Sequence, residues 1–252
     1  RRSASRERRV RVLAFDTATP ATTVALCDSA GGEPVQARDD PEPGRRPNHT
    51  TRLMVLIADV LARAGCGWDD VNRIAVGVGP GTFTGLRIGI ATARALARSR
   101  QIELVGISTL QSLALGAVQE ARARGSDTIL PVLDARRGEV FAAAWITTQV
   151  DGAPAAGRLL EPLAMAPSAL AQTAAELGDS RLAIGDGAVA FRAVLERSGT
   201  SIVDDGSRLH RVDAVFTGRL ALRSESAAAG DVRPEYLRLP DAELSLQATQ
   251  ER

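Results

Sequence analysis

Residues 74–97 read IAVGVGPGTFTGLRIGIATARALA, and the organisation of the chain is read outward from them. A β-branched run, Ile74 to Val78, enters a turn dense in glycine (Gly77, Gly79, Pro80, Gly81, Gly85), and a helical pattern rich in small residues follows at once. Strand, glycine turn and helix start is the arrangement that aims unpaired backbone N–H groups at an anion or at a closely approaching chain. The spacing from Gly79 to Gly85 is GxGxxxG, which is not the six-residue dinucleotide fingerprint, and no Lys-Ser/Thr pair follows to make a Walker motif. Thr82 or Thr84 can cap the helix. Gly85 and Gly89 would let that helix lie close on a strand, with Ala91, Ala93, Ala95 and Ala97 keeping it slim. On these residues alone an anion site, a backbone-to-partner site and plain packing stand level.

Composition narrows the chemistry. At 252 residues and 44% hydrophobic, the chain can bury a substantial core, as one large domain or as two of roughly 100–150 residues. A net charge of +1 supplies no global field for nucleic acid or an anionic membrane. Cys27 and Cys66 have neither CxxC nor zinc spacing. No apolar run approaches the length of a membrane span, and the basic start, RRSASRERRVRV, lacks the apolar centre of a signal peptide, so a soluble cytoplasmic protein is expected. Lysine is absent: all 31 basic residues are arginine, which removes a P-loop lysine, a Schiff-base lysine and a kinase-type phosphate lysine. The two histidines, His49 and His210, lie far apart in sequence, leaving acid–base chemistry mainly to carboxylates.

Taken in order, 1–9 is expected to be a solvated basic tail. Val10–Phe15 and Thr22–Cys27 read as strands, with a third near Pro34–Ala37, so the chain begins as a β-meander. Leu53, Leu56, Ile57, Val60 and Leu61 form one stripe of a helix from about His49 to Ala64, and Met54, Val55 and Ala58 widen it beyond one core contact. After the strand–turn–helix at 74–98 come a strand at Glu103–Gly106 and a helix capped by Ser108 that runs to about Arg124. The pattern then restarts. VLAFDTATPATTVAL and ILPVLDARRGEVFAAAW each place Asp at the end of an apolar strand, before a polar turn and a returning strand, with Asp16 and Asp134 in equivalent places. That predicts two copies of one αβ unit. Helices are expected at 167–177, 187–197 and about 212–223, a strand at 182–185, a closing segment at Pro234–Arg238 and a polar tail over 239–252.

Each candidate site has a plain alternative. Asp16, Thr17 and Thr19, with Asp134 and Gly138 as their counterparts, sit where two-domain phosphotransferases contact nucleotide phosphates; each Asp could equally cap its own turn. DARRG lacks the paired glycines that let backbone close on a phosphate. His49 opens a helix, but the residue one turn on, where a second metal ligand would stand, is Leu53.

DTAT (16–19), NHT (48–50), GVGPGTFTGLRIGI (77–90), ISTL (107–110), DARRGEV (134–140) and PEYLR (234–238) together resemble the bacterial TsaB (YeaZ) family over about residues 10–238. The resemblance implies an α/β, actin/Hsp70-like (ASKHA, ribonuclease H-like) fold with two related subdomains, 10–107 and 108–238. It implies a non-catalytic scaffold or activating subunit that pairs with TsaD and works with the TsaE ATPase in making N6-threonylcarbamoyladenosine, 3′ of the anticodon in tRNAs reading A-starting codons. TsaD performs the transfer; tRNA is met only through the complex. No catalytic residue, metal or tightly bound cofactor is then expected, and an adenine nucleotide would sit, if anywhere, at the complex interface. Isolated chains of this type can pair with themselves. The implied partner surface maps to His49, Leu53, Leu56, Ile57 and Val60 of the first helix, and to Gly81, Phe83, Thr84, Arg87 and Ile88 at the glycine turn. Asn48 and Phe141 depart from the family, which commonly has an acidic residue and tyrosine there. Two further readings are an ATP-dependent kinase or transferase using Asp16 and Asp134, and an M22-type metalloprotease.

Overall fold

Val12 to Phe15 is apolar at every position because both faces of its strand are covered. In the computed structural model, which describes residues 9–42, 45–150 and 153–238, this strand is β1 (Arg11–Asp16) at the centre of a five-stranded sheet. Its neighbours are β2 (Thr22–Asp28), β3 (Val35–Asp39), β4 (Arg73–Gly79) and β5 (Glu103–Ser108), in the order β3-β2-β1-β4-β5. The meander β1-β2-β3 is antiparallel, and β4 and β5 run parallel to β1. Alternate residues serve alternate cores. Leu13 and Phe15, with Ile74 and Val76, pack under α1 (His49–Arg63) and α2 (Phe83–Arg100). Val12 and Ala14, with Ala25, Cys27 and Ala75, pack under α7 (Ala214–Ala221).

The second sheet repeats the first strand for strand. Its members are β6 (Thr128–Arg136), β7 (Glu139–Val150), β8 (Ala153–Met165), β9 (Arg181–Ile184) and β10 (Ser201–Ile202), in the order β8-β7-β6-β9-β10. Again the central strand has two antiparallel strands on one side and two parallel strands on the other. The duplication expected from Asp16 and Asp134 is therefore present in the backbone, and the pair of mixed sheets is the actin/Hsp70-like α/β arrangement. α3 (Thr109–Ala123) covers one face of the second sheet; α4 (Pro167–Ala175), α5 (Asp186–Ala190) and α6 (Arg192–Glu196) cover the other.

The helices are exchanged between the halves. α3 follows the first sheet but packs on the second, and α7 follows the second but packs on the first. The two meet where the Ser112 and Thr217 hydroxyls lie 2.9 Å apart and the Phe216 ring covers Gly116. After α7 the chain runs back along the first lobe. Ala227 N–H donates to Leu104 O (3.0 Å), Arg94 Nε to Val232 O (3.0 Å) and Glu235 N–H to Val78 O (2.7 Å), before Arg238 reaches Glu139 of the second lobe at 2.9 Å. The expected boundary at 107/108 falls inside β5, one residue before its end, and the segment from Ala214 onward packs on the first lobe.

Three elements differ from expectation. β8 is an edge strand carrying Pro154, Gly157 and Pro162, a composition that hides a strand and that an edge tolerates because one side of the ladder needs no donors. β10 has only two residues. The helix expected over 187–197 is broken at Phe191, whose φ of −115° and ψ of 26° separate α5 from α6. The expected tails, 1–9 apart from Arg9 and 239–252, lie outside the described residues. No helix among the described residues is long and apolar enough to cross a membrane.

Candidate functional site

The glycine turn is closed by the chain's own first hairpin. Thr82, the residue preceding α2, donates its N–H to Ala18 O at 2.7 Å, and Thr17 Oγ1 donates to Gly85 O at 2.8 Å. Glycine is required by proximity here. A Cβ on Gly81 would overlap Ala18, one on Gly85 would overlap the Thr17 carbonyl, and one on Gly89 would meet Thr17 Oγ1. A Cβ on Gly77 would run into the Asp16 carboxylate. The α2 start therefore lies on hairpin backbone, and of the three readings of the turn, packing is the one realised within the chain.

Asp16 and Thr17, candidate phosphate contacts by sequence, are fully buried and engaged inside this junction. Asp16 Oδ1 accepts from Ala18 N–H (2.7 Å) and Oδ2 from Thr109 Oγ1 (2.9 Å) at the start of α3. Burial pushes the Asp16 carboxyl up to about 6, against those two hydrogen bonds, which favour the charged form. The second repeat makes the same turn: Asp134 Oδ1 accepts from Arg136 N–H at 2.8 Å. The turn-capping reading of each aspartate is thus what the geometry displays. Around Asp134 the backbone is left-handed at Arg136 (φ 66°), Arg137 (56°) and Gly138 (79°), a bulge followed by a tight hairpin whose tip is exposed.

The second lobe has its own version of the glycine turn, missed in the sequence. Gly185 and Gly187 flank Asp186, and a Cβ on either would strike the backbone of Val132–Asp134. Asp186 Oδ1 accepts from Asp134 N–H at 3.0 Å; burial raises its carboxyl, and that hydrogen bond works against the rise. The signal that could have found it was the strand-then-GDG pattern at 182–187, the counterpart of 74–81. His210 Nδ1 lies 3.1 Å from Gly185 N, fixing the start of this turn. Between the lobes lies a cleft of about 210 Å³, lined by Thr19, Pro20 and Ala21 on one side and by Asp186, His210 and Arg211 on the other. That is below the ~300–1,000 Å³ typical of small-molecule sites. Of the sequence-predicted phosphate residues only Thr19 borders it.

The residues around His49 do not fit a metal. Its Nδ1 lies 2.8 Å from Thr22 Oγ1, its buried Nε2 has no partner, and Leu53, one turn on, is aliphatic. Burial pulls the His49 imidazole below its ordinary value, opposed by Asp39. Among the described residues no three His, Cys, Asp or Glu side chains group as a metal site.

The partner-facing assignment on α1 needs correcting. Leu53, Leu56, Ile57 and Val60 are at most 5% exposed and form the core of their own lobe, and His49 is buried with them. The helix meets the sheet with its more regular stripe, so the residues left outside are those that widened it: Met54 (44% exposed), Val55 (53%) and Ala58. On the adjacent α2, Thr84, Arg87, Ala91 and Ala95 are exposed, while Ile88, Phe83 and Gly81 are half-buried. Arg87 stacks on Phe83, 3.7 Å from the ring centroid, and donates to Tyr236 Oη at 3.2 Å; the two rings are 5.1 Å apart.

The family model described as TsaD, tRNA N6-adenosine threonylcarbamoyltransferase, matches residues 42–163. The TsaB protein of Escherichia coli is 39% identical over 142 residues, 56% of each chain, and that of Haemophilus influenzae 35% identical over 130, covering 52% of this chain and 51% of the relative. The chain spans about half the length of these curated relatives. Among solved structures, an uncharacterized Pseudomonas aeruginosa protein with similarity to the peptidase YeaZ superposes with a TM-score of 0.73 at 28% identity, over 91% of this chain and all of the other. YeaZ from Pseudomonas aeruginosa gives 0.70 at 26% identity, over 89% of this chain and all of the other. Along nearly its whole length the chain shares its duplicated fold with these two Pseudomonas aeruginosa structures, and over about half its length its sequence is similar to the TsaB proteins.

Proposed function

We propose that this chain is a non-catalytic, activating subunit in the biosynthesis of tRNA threonylcarbamoyladenosine, and that it acts by pairing its α1–α2 face with a TsaD-like catalytic subunit. The observation that carries the reading is the contrast between two places. Where a nucleotide-using relative would present phosphate contacts, Asp16, Thr17 and the start of α2 are bound to one another. Where a globular domain would present polar residues, α1 exposes Met54 and Val55 side by side. The names of the relatives supply the pathway, and the match to a TsaD model makes a related subunit a natural partner, since duplicated folds often pair through equivalent surfaces. On this reading a TsaE-like ATPase and tRNA are met through the assembled complex, in the cytoplasm, and any adenine nucleotide belongs to the interface with the partner.

The test is a pair of substitutions chosen by exposure. Met54→Glu and Val55→Glu each place a charge on the outside of a folded helix, so thermal stability should stay close to wild type while binding to the TsaD-like subunit is lost. Binding that survives both charges refutes this face as the interface.

A further inference from the structure

By the end of α7 the chain has passed between the lobes twice, at 108–109 and again at 212–214, and both crossings are fastened on one side of the first sheet. Thr109 Oγ1 donates to Asp16 at the end of β1, Arg38 of β3 donates to Val212 O, and Ala214 N–H donates to Thr23 Oγ1 of β2. β4 lies on the other side of β1. There residues 234–238 pass from the first lobe to the second a third time. Glu235 N–H donates to Val78 O in β4 at 2.7 Å, and the glycine turn makes room for it: a Cβ on Gly79 would lie 2.9 Å from the Glu235 carbonyl oxygen. The Tyr236 ring then meets Phe83 at the start of α2, with 5.1 Å between centroids. Leu237 packs against the second-lobe core that Phe141, Ala143 and Trp145 build under α3, and Arg238 donates to Glu139 Oε2 at 2.9 Å. Burial raises the Glu235 carboxyl, and β8 of the second lobe acts on it across the junction, Arg158 against that rise and Glu161 with it.

We infer that residues 234–238 are a latch between the lobes, which fixes their relative orientation on the β4 side and is released by loss of the Arg238–Glu139 pair. Fastenings at β1, β2 and β3 leave the lobes free to splay on the far side of β1. β4 is two strands from β2 and three from β3, so the third fastening stands roughly 10–15 Å from theirs, far enough to remove that freedom. The two ends of the latch differ in kind. At the first lobe Val232 is buried, its carbonyl accepts from Arg94, and Glu235 is bonded to β4 backbone. At the second lobe the hold is a half-buried Leu237 and an ion pair between partly exposed side chains, which salt screens. The latch therefore opens at its second-lobe end. Because Tyr236 sits in the middle of it, one short segment couples the orientation of the second lobe to the first turn of α2.

The test measures the distance between the lobes in the full chain by double electron–electron resonance. Spin labels go on Glu33→Cys, between β2 and β3, and Gln172→Cys, on α4, both exposed positions, with Cys66→Ser removing the half-buried native thiol and Cys27 left buried. Labelled protein is diluted in unlabelled protein, so that only distances within one chain are read. At low salt the wild type should give one narrow distance. Glu139→Arg and Arg238→Glu should each broaden it and add a population at a different separation, and the charge-swapped double variant Glu139→Arg/Arg238→Glu should restore the narrow one. Raising the salt should move the wild type toward the single variants and leave them little changed. Both positions are partly exposed, so each variant should keep a cooperative thermal transition. A distance as narrow in both single reversals as in the wild type would overturn the latch, because the two chain crossings then hold the lobes unaided. Broadening that the swap does not reverse would overturn the ion pair as its release.

Discussion

Replacing Gly85 by alanine should destabilise the protein, although alanine is the better helix former. In an open helix the change gains about 1 kcal/mol. At Gly85 the added methyl would overlap the Thr17 carbonyl oxygen, approach Thr82 Oγ1 to 2.6 Å and lie 3.1 Å from the Thr17 carbonyl carbon. Backbone cannot swing aside as a flexible side chain can, so hairpin and helix must separate. Overpacking of this kind costs about 1–3 kcal/mol. Separation also stretches two hydrogen bonds in a dry junction, Thr17 Oγ1 to Gly85 O and Thr82 N to Ala18 O, each contributing about 1 kcal/mol. With the propensity gain offset, the net loss is about 3 kcal/mol, or roughly 6–12 °C in Tm for a chain of this size. Gly206, around which a Cβ would meet nothing within 4 Å, is the control: Gly206→Ala should be neutral or stabilise by up to about 1 kcal/mol. Thermal and urea denaturation of both variants decides the matter. A Gly85→Ala protein as stable as wild type would mean that the α2 start stands open, as a phosphate-binding loop would.

Two pH effects of opposite sign follow from the buried groups. The folded-state pKa of Asp16 lies at about 6, above its unfolded value of 3.8, so the native state holds the extra proton and stability falls as pH rises from about 4 through 6. The full effect is on the order of 3 kcal/mol, and Asp16→Asn should flatten that slope in urea titrations; an unchanged slope refutes the assignment. His49 is held below its ordinary value by burial, so its contribution is present at neutral pH and is lost as pH falls below about 6.5. Its imidazole resonances should therefore titrate below the ordinary histidine range, and titration at or above that range would contradict its burial.

Much of the fold was legible because the sequence repeats itself. Asp16 and Asp134 end equivalent strands, and the apolar runs before them mark the two sheet centres, where burial on both faces removes alternation. β8 escaped because Pro154, Gly157 and Pro162 read as loop, and only its edge position makes them tolerable. The exchange of α3 and α7 between lobes is invisible to periodicity, which says that a helix has an apolar stripe but not which sheet it meets. The same limit explains the error on α1: Leu53, Leu56, Ile57 and Val60 and their neighbours Met54 and Val55 are all apolar, and only the orientation of the helix on the sheet separates core from surface. At the glycine turn the spacing excluded the known nucleotide motifs, but what filled the space, the Thr17–Ala18 backbone, comes from a hairpin some sixty residues earlier. Tyr236, which completes the seat of Arg87, arrives from the far end of the described chain.

The central claim is that this chain supports threonylcarbamoylation of tRNA without performing it. The most direct measurement is formation of threonylcarbamoyladenosine in unmodified tRNA by the reconstituted TsaD-like and TsaE-like subunits, with the threonylcarbamoyl-adenylate donor supplied, in the presence and absence of this chain. Product that requires this chain, is abolished by Met54→Glu and is never formed by this chain alone is the predicted result. Full activity without it, or turnover by it alone that Asp16→Asn removes, would contradict the account.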